Sequence, residues 1–165
     1  MKPDFYCENN VTVDAKVWKK KARGFAVRAH DYLWRSNNAD PLTFLYLKGF
    51  NLDFIGKMSL GWNKFSHTRP CKGWGLSGTG SFFIPCGIVF PYIVEKEITG
   101  LFIISMEHPD SDSSSEMIIP GSVKGPLILG PGNGDVKEAT GILEGLRIYQ
   151  ESQDLFSVKI SLPQT

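Results

Sequence analysis

Two sets of cations have the spacing to hold phosphates. Lys19, Lys20, Lys21 and Arg23 crowd one short segment, and Lys64, Arg69 and Lys72 flank Trp62 and Trp74. Neutralised phosphates release counter-ions, the source of most non-specific affinity for nucleic acid. Bases can also stack on indole faces beside cations. Each set has a plainer reading too, a solvated helix face for the first and core tryptophans for the second.

The net charge of +1 hides a polarity along the chain. Residues 1–75 hold 13 Lys and Arg against 6 Asp and Glu, whereas residues 76–165 hold 5 against 11, so the parts carry +7 and −6. A basic part draws in polyanions and an acidic part can hold divalent cations. Chance segregation would produce the same split.

Other chemistry is thin. Cys7, Cys71 and Cys86 form no C-x-x-C pair and have no histidine at zinc-finger spacing, which predicts reduced, mostly buried thiols and no zinc. His30, His67 and His108 fall in separate segments, and none is assigned a catalytic role. The GPGNG run at 130–134 lacks the Gly-Lys-Ser/Thr ending of a phosphate-binding loop and reads as a turn.

The elements that must position these residues follow from length and pattern. A chain of 165 residues, 42% hydrophobic and 21% charged, has the size and composition of a folded domain. It shows neither a secretory signal nor an apolar run of about 20 residues, so a cytoplasmic protein without a membrane partner is expected. Trp18, Ala22, Phe25, Ala29, Tyr32 and Leu33 recur every three or four residues, predicting an amphipathic helix from Asp14, its N-cap, to about Arg35.

A loop is expected at 36–40, a short helix over 41–48 ending at Gly49, and another capped by Asn51 and reaching Lys57. From Ser81 the pattern turns to β-branched and aromatic runs at 83–84, 88–90, 92–94, 101–104 and 117–119, which read as strands. Residues 95–97 read as a hairpin connection and 110–115 as a solvated, mobile loop. An extended piece at 136–140, a helix near 141–150 and a strand at 156–162 make a strand–helix–strand unit.

The fold class expected is α+β passing into α/β. Residues 1–80 are read as a helical, basic subdomain, 81–130 as a central mixed β-sheet, and 131–165 as a partial βαβ unit. The strand near 156–162 is expected at an exposed edge, where a second copy could complete the sheet.

Several landmarks in order resemble the catalytic core of bacterial and phage-type DNA primases: YLKGFNLDFI at 46–55, LGWN at 60–63, GIVFPY at 87–92, ITGLFII at 98–104, PGS at 120–122 and PLILG at 126–130. The resemblance spans roughly residues 15–160. It implies a template-dependent nucleotidyltransferase that makes RNA primers in DNA replication, with single-stranded DNA as template. It also implies that the C-terminal βαβ unit begins a Toprim domain, in which carboxylates hold magnesium while a 3′-hydroxyl attacks a triphosphate.

The chain departs from that family at three places. Thr140 stands where the family has a glutamate, with Glu138 two residues earlier on the same strand face. Residues 105–107 lack the family's arginine, and the chain stops before an Asp-x-Asp pair. Glu138 and Glu144 are the candidate metal residues, and magnesium enters only if the acidic site is completed elsewhere. The expectation is a nucleic-acid-binding fragment, inactive alone, that uses Lys19, Lys20, Arg23, Lys64, Arg69 and Lys72. Two alternatives remain, a non-enzymatic remnant binding replication proteins as an adaptor, and a piece of a larger enzyme.

Overall fold

Helix α1 (Ala15–Trp34) forms where the apolar spacing predicts it. The computed structural model describes residues 12–35, 39–105, 115–132 and 134–162. Asp14 caps α1, its side chain accepting from the Val17 amide at 3.3 Å. That satisfies one of the donors a first turn leaves open. Trp18, Ala22, Phe25, Ala29 and Leu33 are buried along one stripe, which leaves the basic residues to the remaining faces. Tyr32 lies at the stripe's margin, exposed, with its ring 5.8 Å from Trp62.

Helices α2 (Ala39–Leu47) and α3 (Leu52–Lys57) follow. Gly49 between them adopts φ 98°, a left-handed conformation that glycine enters readily. Asn51 caps α3 by accepting from the Phe54 amide at 2.8 Å.

The helical reading of the first eighty residues ends at Lys57. Strands β1 (Gly61–Asn63) and β2 (His67–Pro70) come next, then a 3-10 turn at Cys71–Trp74. Strands this short carry too few residues for a period-two signal. Strand β1 pairs with β4 (Gly87–Val94) and β2 pairs with β3 (Ser81–Ile84), both antiparallel. Two ladders therefore cross residue 80.

The main sheet has the order β1-β4-β5-β6, with β5 at Glu97–Ser105 and β6 at Glu116–Ile118. Every pairing in it is antiparallel, which corrects the expectation of a mixed central sheet. Pro91 sits in β4 beyond the short β1 ladder, where one side of the strand needs no amide donor. The β4–β5 connection is the predicted hairpin, closed by Glu95 and Lys96 with φ of 51° and 68°.

Alternation sends side chains to both faces of this sheet. Ile88, Phe90, Phe102 and Ile104 enter one core with residues of α2, α3 and the C-terminal elements. Val89, Leu101 and Ile103 enter a second core with Trp18, Ala22, Phe25 and Ala29 of α1.

The second sheet contains β7 (Leu127–Leu129), β8 (Val136–Ala139) and β9 (Ser157–Ile160) in the order β7-β9-β8. Helix α4 (Ile142–Ser152) connects β8 to β9, and these two strands run parallel, so the predicted strand–helix–strand unit is present. Strand β9 also pairs antiparallel with β7. It is central, which corrects the expectation that residues 156–162 form an exposed edge open to a second copy.

Buried Cys71 is disulfide-bonded and is thus not the reduced thiol its spacing predicts, while Cys86 is partly buried. Cys7 and His108 lie outside the described residues, as does most of the segments 36–40, 105–107 and 110–115. Among the described residues no helix is long and apolar enough to cross a membrane.

Candidate nucleic-acid interface

Burying one stripe of α1 against the sheet leaves its basic residues facing outward. Lys19 and Arg23 lie one turn apart, as do Lys20 and Gly24, and residues four apart share a helix face. The β4–β5 turn rises beside them. Together they border an open groove of about 620 Å³ whose charged walls are Lys19, Lys20, Arg23 and Arg28 from α1 and Lys96 and Glu97 from the turn. Val27 and Ile98 add apolar surface to it.

Five cations thus meet one carboxylate in the groove. Lys19 Nζ donates to Glu97 Oε2 at 2.7 Å, with the two side chains 40% and 65% exposed. The hydrogen bond from Lys19, aided by its charge, holds the Glu97 carboxyl below the usual range. Such an arrangement can hold polyanions, because the remaining cations keep the groove positive.

The second predicted set lies elsewhere. Lys64, Arg69 and Lys72 are exposed, after β1, within β2 and in the 3-10 turn, and none of them lines the groove. Trp74 is buried, edge-on to Phe25 at 6.2 Å and to Phe82 at 5.4 Å. It is a core residue, and base stacking on it is ruled out. Trp62 is partly buried against the other core.

Sequence reasoning missed the exposed aromatic beside a cation, which is Phe65. It is 69% exposed, and the Lys64 ammonium sits 5.3 Å from its ring centroid. Its signal was its place in a polar stretch between two short strands.

At the other end of the chain, Glu138 lies exposed on edge strand β8, in register with Lys159. Glu144 is exposed in the first turn of α4, where its Oε2 accepts from the Thr140 amide at 3.1 Å and the Thr140 hydroxyl at 3.0 Å. A third carboxylate, Glu116 of β6, was not foreseen. Its Oε1 accepts from the Ile142 and Leu143 amides at 2.7 and 3.3 Å, and burial raises its pKa against the opposing pull of those amides.

These groups do not fit a magnesium site by themselves. Magnesium demands near-octahedral oxygen ligation, and among the described residues no three His, Cys, Asp or Glu side chains gather to hold an ion. Glu144 and Glu116 already accept from the chain's own donors. In the 130–134 run, Gly130, Gly132 and Gly134 have positive φ, and the Gly132 amide donates to Ser157 Oγ at 2.8 Å, as a structural turn does.

No family model and no curated protein matches the chain. Two solved structures do. One is a DnaG primase catalytic domain bound to ssDNA, with a TM-score of 0.64 and 11% identity, covering 92% of this chain and 55% of that one. The other is the RNA polymerase domain of Mycobacterium tuberculosis primase DnaG in complex with a double-stranded DNA oligomer carrying a 6-nucleotide overhang, with a TM-score of 0.61 and 11% identity, covering 91% and 55%.

The fold is primase-like. That agrees with the landmarks read between residues 46 and 130, and the chain spans about half the length of the primase structures it matches. At 11% identity the likeness carries the primase fold and assigns no residue a role.

Proposed function

We propose that this chain is a nucleic-acid-binding part of a primase-type nucleotidyltransferase, and that it holds single-stranded DNA template in the groove between α1 and the β4–β5 turn. The groove carries the reading, since five cations converge against one carboxylate on a fold shared with primase domains whose structures contain DNA. The β8–α4–β9 unit is read as the start of a Toprim-like element. Primer synthesis would then depend on magnesium-binding carboxylates supplied from elsewhere, and the setting would be DNA replication in the cytoplasm.

A second reading, a non-enzymatic adaptor for replication proteins, is favoured by one observation: Glu144 accepts from Thr140 at the place where the resemblance expects a metal-binding carboxylate.

Binding of a labelled single strand across a salt series tests the first reading. Up to five phosphate contacts bound the log–log slope at about −3.5, from about −0.7 per phosphate on single strands. Affinity that is absent at low salt, or that ignores salt, removes the nucleic-acid reading. Partner capture that survives nuclease treatment is the adaptor's signature.

A further inference from the structure

We propose that the β4–β5 turn is the jaw that sets the groove's affinity, with Lys96 adding a phosphate contact and Glu97 competing with nucleic acid for Lys19. This rests on the nucleic-acid reading above and adds a built-in competitor to it.

The turn breaks a local rule. A two-residue hairpin connection of this kind requires positive φ at both positions, which favours Asn-Gly. Here Glu95 and Lys96 adopt φ of 51° and 68°, a region that side chains with a Cβ enter only against steric resistance. Local choices that oppose the fold concentrate at functional places. At this turn the disfavoured residues put Lys96 and Glu97 on the wall of the basic groove.

Glu97 supplies the second strand of the argument. It is the one carboxylate lining the groove, and it contacts Lys19 at 2.7 Å while both side chains face solvent. Exposed ion pairs add little to a fold, so holding the turn closed does not account for it. Its consequence is electrostatic, because one of five cations is already neutralised. An incoming phosphate carries the same sign and accepts the same Lys19 hydrogen bond, so binding displaces Glu97 and releases one counter-ion fewer than an unopposed groove would.

Two variants of the full chain test this with opposite signs, using a labelled oligothymidylate. Glu97→Gln frees Lys19, tightening binding about 3- to 10-fold at low salt and steepening the log–log salt slope by about 0.7, the contribution of one phosphate. The double change Glu95→Asn with Lys96→Gly relaxes the turn while removing a cation. It is expected to raise Tm by about 2–4 °C, weaken binding several-fold and flatten the slope by about 0.7.

Glu151→Gln, which changes net charge equally at an exposed site on α4 outside the groove lining, should leave affinity within about twofold of wild type, since exposed charges are screened by salt. An Glu97→Gln variant that binds no tighter than wild type, or no tighter than Glu151→Gln, overturns the proposal. So does undiminished binding by the turn variant. If wild type binds with the expected salt slope and these variants match it, the jaw fails while the groove stands. If wild type and Glu97→Gln both fail to bind, the nucleic-acid reading and the jaw fall together.

Discussion

Glu144 turns back on Thr140, one carboxylate oxygen accepting from both its amide at 3.1 Å and its hydroxyl at 3.0 Å. Gly141, the N-cap of α4, has no side chain to close the first turn; Glu116 accepts from the Ile142 and Leu143 amides there, and Glu144 reaches past the cap to residue 140. Thr140, where the resemblance expects a carboxylate, is therefore engaged in a local hydrogen-bonded pair with Glu144.

Glu144→Ala should cost about 0.5–1 kcal/mol, the net worth of an exposed hydrogen bond. Urea unfolding measures it, with Glu144→Gln close to wild type because the amide oxygen still accepts. Magnesium titration followed by tryptophan fluorescence should show no saturable response below millimolar concentrations. A saturable response abolished by Glu144→Ala would show that the carboxylate leaves Thr140 for metal.

Glu116 predicts a pH effect of definite sign. Burial raises its pKa above the ordinary 4.5, although the Ile142 and Leu143 amides oppose the shift. An acid with a raised folded pKa holds its proton more tightly when folded, so its stabilising contribution is fully present below the unfolded value and is lost as pH rises through the folded value. Glu97 and Asp154 shift downward, Glu97 through Lys19 and Asp154 through Tyr149 and Lys57. Their contributions run the other way, present above the unfolded value and lost on acidification. Comparing wild type with Glu116→Gln isolates the one term. The variant should gain stability relative to wild type as pH rises above the ordinary 4.5 of the carboxyl, levelling off once Glu116 is ionised in the folded state, and a difference independent of pH contradicts the assignment.

The elements legible in the sequence are those with long periodic or capped signals. Helix α1 repeats its apolar stripe over five turns from a clear Asp14 cap, α3 starts at Asn51, and the β4–β5 hairpin joins two apolar runs. Strands β1, β2 and β7 have three or four residues each, too short for alternation to speak. Strand order was hidden as well, because the central place of β9 depends on a non-local pairing with β7. The interface divided likewise: helical spacing brought Lys19, Lys20 and Arg23 together, whereas Lys96 and Glu97 join them only through tertiary packing. Composition could not separate buried Trp74 from exposed Phe65.

Gly61 tests how α1 is seated. A Cβ built there would lie 2.6 Å from the Ala29 carbonyl carbon and 2.7 Å from the His30 amide nitrogen, so α1 and β1 approach to backbone distance. Backbone atoms in a capped helix cannot yield as a side-chain tip would. Gly61→Ala should therefore destabilise by about 1–3 kcal/mol through overpacking, measured by urea unfolding. A neutral result would mean that α1 sits farther from the sheet, and the groove's α1 wall would then be displaced.

The two cation sets separate by experiment. Lys20 and Arg23 line the groove, whereas Lys64, Arg69 and Lys72 do not. Reversing the first pair, Lys20→Glu with Arg23→Glu, removes two phosphate contacts and adds two repulsions. Single-strand affinity should fall more than about tenfold at 100 mM salt, and the log–log slope should lose about 1.4, or 0.7 for each phosphate. Replacing Lys64, Arg69 and Lys72 together by alanine removes three charges yet should shift the slope by less than about 0.7, because none of them lines the groove and no phosphate contact there is lost. If the triple variant loses more than the pair, the strand follows β2 and the Lys64–Phe65 corner, where a base could stack beside the ammonium, and the α1 groove is the weaker contact.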